Sequence, residues 1–165
     1  MEVKGLELFN EVVDRFISKW DCSARPGSEF AYFYATDEIS WSLLVTEDAD
    51  RYFQSFLTES FPDITADTFI WSLLHEVGHH ETIDDWTEEE QEFFDNEKER
   101  IEELYRQSTN KDLSYLYFNL PDEYAATCWA ADYIRENPEE IDALLEELRE
   151  VAKVFYKLNE VELAA

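Results

Sequence analysis

All three histidines of the chain fall within one short stretch, His75-Glu76-Val77-Gly78-His79-His80, whose first five residues read H-E-x-x-H. On an α-helix, positions four apart lie one turn apart on the same face, so His75 and His79 can point both imidazoles at one ion. Glu76 is rotated off that face, enough to act on a water beside the ion without ligating it. Among 165 residues with 3 His and 26 Glu, shuffling would generate this pattern about 0.006 times per chain, so composition alone does not account for it. The bland alternative is a pair of hydrogen-bonded histidines on a buried helix. Gly78 costs roughly 1 kcal/mol relative to Ala inside a helix, which points to close backbone approach or tight packing there.

A catalytic zinc site takes three protein ligands and keeps one position open for water. His80 lies five residues after His75 and so faces away, which excludes a third histidine and leaves a carboxylate or one of the thiols Cys22 and Cys128. Glu123 is the best-placed candidate. It opens a helix predicted over 122–136, and Glu123, Ala126 and Ala130 form one stripe whose small alanines allow close packing on the histidine-bearing helix. Asp122 is the main rival, and the plain alternative for Glu123 is a first-turn acid favoured by the helix dipole. Glu81, Asp84 and Asp85 follow the histidines too closely to fold back easily, and Cys128 reads as a small core residue.

The elements that must position these residues are mostly helical. Leu6, Phe9, Val12, Val13, Phe16, Ile17 and Trp20 recur at spacings of three and four and predict an amphipathic helix over 5–20. The segment 22–28 breaks that pattern with Arg25-Pro26-Gly27, and the aromatic and branched runs 30–36 and 39–46 then predict a hairpin turning at Thr36-Asp37-Glu38. Helical spacing returns over 47–61 and stops at Pro62-Asp63; the next helix starts near Asp67 and is strongly apolar at Phe69, Ile70, Leu73, Leu74 and Val77. Thr87 and Glu90 make a capping box for an acidic helix to about Arg106. An apolar stretch over 113–120 leads to Pro121, suited to a first helical turn, and Asn137-Pro138-Glu139-Glu140 reads as cap and start of a last helix over 138–158.

Composition narrows the function. A length of 165 residues suits a single domain, and 45% hydrophobic residues with 3 Gly and 4 Pro argue against disorder. Forty acids against 13 Lys and Arg give a net charge of -27, which repels a phosphate backbone, so direct nucleic-acid binding is not expected. No apolar run approaches the roughly 20 residues of a membrane span, Met1-Glu2-Val3-Lys4 with Glu7 and Glu11 does not resemble a secretion signal, and the two cysteines form no C-x-x-C pair. A cytoplasmic protein with reduced thiols is the expectation.

H-E-V-G-H at positions 75 to 79, followed by E-Y-A-A-T-C-W-A at 123 to 130, resembles the ImmA/IrrE-type zinc metallopeptidases, which pair H-E-x-x-H with a downstream Glu opening an E-x-x-A-x-x-aromatic-A helix. The resemblance covers about residues 28–136. It implies an α+β, mostly helical minimal zincin-like domain with a small antiparallel hairpin ahead of the motif helix; the helices over 5–20 and 138–158 lie outside the match and complete the single domain. His75, His79 and Glu123 would then be zinc ligands and Glu76 the catalytic acid/base. The acidic helix over 87–106 is a departure, because it lengthens the interval between the two motifs. The implied substrate is a protein, typically a helix-turn-helix repressor. His80, Tyr117, Tyr124 or an arginine are the candidates to hold the oxyanion or touch substrate. The alternative from another class is a non-catalytic acidic interaction module, a degenerate zincin or a DNA mimic that binds a basic partner; it has no need of Glu76 as proton acceptor.

Overall fold

The computed structural model describes residues 5–43 and 47–164; the N-terminal tetrapeptide and the end of the second predicted strand run, 44–46, lie outside the described residues. The chain is mostly helical, with a three-stranded sheet near its N-terminus. Helix α1, Leu6–Ile17, buries Phe9, Val12, Val13 and Ile17 along one face. It is shorter than the predicted 5–20, because its end tightens into a 3-10 turn at Ser18–Trp20, closed by Asp21 in the left-handed conformation (φ 58°).

Three strands follow: β1, Ser23–Pro26; β2, Ala31–Phe33; and β3, Glu38–Trp41. The expected hairpin is β2 with β3, antiparallel in the register Phe33 to Glu38, with Asp37 at φ 51° in the turn. The sheet is nevertheless mixed and not purely antiparallel. Segment 22–28 supplies β1, which pairs parallel to β3 in the order β1-β3-β2. Pro26 hid this strand from the sequence pattern, and it is tolerated because β1 is an edge strand.

Helix α2, Glu47–Ser60, buries Phe56 and Leu57. Helix α3, Thr68–Thr82, is the centre of the molecule: Ile70, Leu73, Leu74 and Val77 are fully buried, with β2 and β3 against it on one side and the later helix α6, Pro121–Glu136, on the other. Burying such side chains stabilises by about 1.5–3 kcal/mol each, which holds the helix in place. Between them come α4, Glu88–Gln107, and α5, Lys111–Phe118. The capping box at Thr87 and Glu90 is formed in full. The apolar run 113–120, unassigned by its pattern, is the short helix α5, capped by the Asn110 side chain on the Asp112 amide.

Helix α7, Pro138–Ala164, packs along α1 and outlasts the predicted 138–158. Asn137 occupies the expected cap position, its carbonyl accepting from the Ile141 amide at 3.2 Å, but its side chain does not serve as the cap. The side-chain amide turns back to donate to the Tyr133 carbonyl at the end of α6, and the Glu140 carboxylate accepts from Lys19 and Tyr133. Among the described residues, no helix is long and apolar enough to cross a membrane. Both cysteines are free thiols.

Candidate metal centre

The Asp67 side chain starts α3 by accepting from the Phe69 amide at 2.8 Å, and this phase sets His75 and His79 on the face toward α6. Gly78 lies on the contact itself. A Cβ there would stand 2.4 Å from the Ala126 carbonyl oxygen and 2.9 Å from its Cα, so only glycine lets the two helices come this close. Ala126 and Ala130 are fully buried on the facing stripe. One turn before Ala126, Glu123 is thereby carried opposite the two histidines.

There the donors converge. His75 Nε2 and His79 Nε2 each lie 2.8 Å from the same Glu123 oxygen, Oε2. The two imidazole rings stand nearly perpendicular at 89°, and one ligand atom from each of the three residues lies within 4.8 Å of the others. The Thr127 hydroxyl, which donates to the Glu123 carbonyl at 3.0 Å, presents its oxygen to His75 Nδ1 at 2.9 Å. That bond assigns the proton to Nδ1 and leaves the Nε2 lone pair facing a carboxylate oxygen. Two lone pairs at 2.8 Å repel, so this arrangement calls for a positive charge between them, a proton or a metal ion. Two imidazoles and a carboxylate are a donor set that suits zinc.

The electrostatics agree with that demand. Burial works against the charged form of His79, but the carboxylates of Glu123 and Glu76 outweigh it and raise its pKa to about 9. Burial likewise opposes the Glu123 carboxylate, and the two histidines overcome it and hold its pKa well below the usual range. Glu76 is half-buried, and desolvation raises its pKa against the partial opposition of His75 and His79. Around the histidines, the buried Asp122 and Glu123 and the half-buried Glu76 supply three carboxylates, and the half-buried Lys98, whose Nζ bonds Asp122 and lies 3.4 Å from Glu123 Oε1, supplies the ammonium beside them. With neutral imidazoles the balance is two negative charges, which a divalent cation would offset.

A cleft of about 780 Å³ opens on this cluster. Glu76, His79, Tyr117 and Glu123 line its floor, with Phe30 and the first residues of β2, Ala31 and Tyr32, on one wall and Gln91, Asp95 and Lys98 of α4 on the other. Among the sequence candidates, His75, Glu76, His79, Glu123 and Tyr117 are thus brought together; burial, with the negative charge of Glu123 beside it, raises the pKa of the Tyr117 hydroxyl. Asp122 is not with the ligands, because one residue of rotation turns its carboxylate to Lys98, Gln91 and the Glu123 amide. Glu81, Asp84 and Asp85 are exposed and outside the cluster.

Two of the suggested substrate contacts are elsewhere. His80 is tied to β2, with Nδ1 3.0 Å from the Tyr32 hydroxyl and 3.3 Å from Asp37, because its position after His79 swings it around α3 to the sheet. Tyr124 is turned by one residue from Glu123 and stacks on Phe61 at an exposed position, outside the cleft. The pattern missed Lys98 and Thr127. Each had a legible signal: Lys98 is a charge on the apolar stripe Phe94–Lys98–Ile101, and Thr127 follows Glu123 by one turn on the ligand stripe. In comparisons with known proteins, no family model, no curated protein and no solved structure matches the chain.

Proposed function

We propose that the chain is a zinc-dependent endopeptidase, with His75, His79 and Glu123 as the ligands and Glu76 as the proton-transferring group. The observation that carries this reading is the convergence of His75 Nε2 and His79 Nε2 on a single Glu123 oxygen, with the carboxyl of Glu76 on the floor of the same cleft. Zinc bound there would supply Lewis acidity, polarising a peptide carbonyl and making water acidic near neutral pH. Glu76, with its raised pKa, is suited to take a proton from the attacking water and return it to the leaving amine. Tyr117 keeps its hydroxyl proton and is the donor available for the developing oxyanion. Among the described residues no strand pairs with the outer edge of β2, which lies beside the floor and offers backbone groups to an extended peptide.

The substrate in this reading is a basic protein, and the resemblance to ImmA/IrrE-type peptidases suggests a helix-turn-helix repressor. Glu88, Glu92, Asp95 and Glu102 of α4 add negative charge to the cleft, and a net charge of -27 steers cationic partners toward it. The test is metal content after dialysis against metal-free buffer, with Glu76→Gln as control. Near one zinc per chain, retained in Glu76→Gln while hydrolysis is lost, supports the enzyme. Failure to take up zinc refutes it.

The same carboxylate density favours, as a second reading, a non-catalytic module that binds a basic protein. That reading would prevail if Glu76→Gln kept both its metal and its full biological effect.

A further inference from the structure

The two oxygens of the Glu123 carboxylate have different partners. Oε2 is shared by His75 Nε2 and His79 Nε2, each at 2.8 Å. Oε1 lies 3.4 Å from Lys98 Nζ. Lys98 is itself held by Asp122, and Asp122 by the Gln91 amide at 3.4 Å and the Glu123 amide at 2.9 Å. The ammonium therefore belongs to an anchored network and is not a mobile surface charge: its side chain is only 17% exposed. It comes from α4, the acidic helix lying between the two motifs in the chain.

We propose that Lys98 is a positioning residue that limits Glu123 to one-oxygen ligation of the metal. This inference rests on the zinc reading above. A carboxylate near a divalent cation can bind through one oxygen or both, and the second oxygen would occupy the coordination position that a hydrolytic site keeps open for water. An ammonium beside Oε1 opposes that change in two ways. It makes an ion pair with Oε1 that two-oxygen binding would have to disrupt, and its charge favours the carboxylate orientation that keeps Oε2 toward the histidines. Asp122 holds the ammonium at this oxygen and offsets its charge, so that Lys98 does not displace the metal. The acid next to the ligand thus acts through Lys98.

Cobalt(II) in place of zinc makes the difference visible without a substrate, since four-coordinate Co(II) absorbs more strongly in the visible than five- or six-coordinate Co(II). The cobalt form of the full chain is compared with Lys98→Met, Lys98→Arg and Asp122→Asn, together with Co(II) affinity by chelator competition and far-UV circular dichroism. The expected result is a loss of visible intensity in Lys98→Met with affinity no weaker than wild type, and recovery in Lys98→Arg. A smaller loss of the same kind is expected in Asp122→Asn, which keeps side-chain shape and serves if Lys98→Met does not fold. A wild-type spectrum of four-coordinate strength that is unchanged in both Lys98→Met and Asp122→Asn would overturn the positioning role and leave the metal site standing. No Co(II) or Zn(II) uptake by the wild type would overturn the metal reading, and this role with it.

Discussion

Substituting Gly78 by alanine separates a glycine required by packing from one that is incidental, because the two cases predict opposite signs. In an open helix interior, Gly→Ala stabilises by about 1 kcal/mol through backbone entropy. Here the new Cβ would sit 2.4 Å from the Ala126 carbonyl oxygen, roughly 1 Å short of ordinary van der Waals contact. The nearest atoms are all backbone of α6, so no side chain can rotate away and the helices must part. Overpacking of this kind costs about 1–3 kcal/mol, which leaves a net loss of up to about 2 kcal/mol. For a domain of this size that is a fall of roughly 4–8 °C in Tm at the upper end. The site should suffer more than the fold, because Glu123 lies one turn from the clash and moves with α6. We expect zinc affinity to drop about 10- to 100-fold, the usual scale for loss of ligand support. The assay is thermal unfolding with chelator present, so that metal does not mask the stability change, together with chelator competition for zinc. A raised Tm with unchanged zinc affinity would refute the close-approach account of α3 against α6.

Other outcomes follow from the same geometry. Thr127→Val removes the acceptor for His75 Nδ1 and should weaken zinc binding about 10-fold or more, whereas Thr127→Ser, which keeps the hydroxyl, should bind nearly as the wild type; equal losses in both would show that the hydroxyl does not matter. Burial, aided by Asp37, pushes the Cys22 thiol up to about 11 from 9, so the folded state holds that proton more tightly than the unfolded chain. The associated stability is complete below pH 9 and is lost as pH rises to about 11, and Cys22→Ala should remove that part of the alkaline decline in urea-unfolding profiles. With both thiols raised, native protein at pH 8 should react slowly with a disulfide reagent and rapidly once unfolded; fast native labelling of both thiols would contradict the burial of Cys22. Cleavage of a basic protein should slow as salt rises, and a rate independent of salt would remove electrostatic steering by the -27 charge.

What the sequence determined by itself was local. Helix starts at Asp67, Thr87, Pro121 and Pro138 are legible because caps and first-turn prolines act within three or four residues. The His75–His79 pair is legible for the same reason, as one helical turn fixes it. Gly78 with the Ala126–Ala130 stripe also announced a close helix contact, since small residues at helical spacing have few other uses inside a core. Tertiary structure decided whatever joined distant segments. The separation of Glu123 from Asp122 came from the rotation of α6 against α3, and Glu123 lies 44 positions after its partner His79. Lys98 reached Asp122 across 24 residues, and β1 paired with β3 although Arg25-Pro26-Gly27 reads as a break. His80 went to Tyr32, and Asn137 turned back to α6, because each found a hydrogen-bond partner that helical periodicity does not encode. Periodicity describes which face a residue occupies; which group stands opposite that face is set by packing of the whole chain.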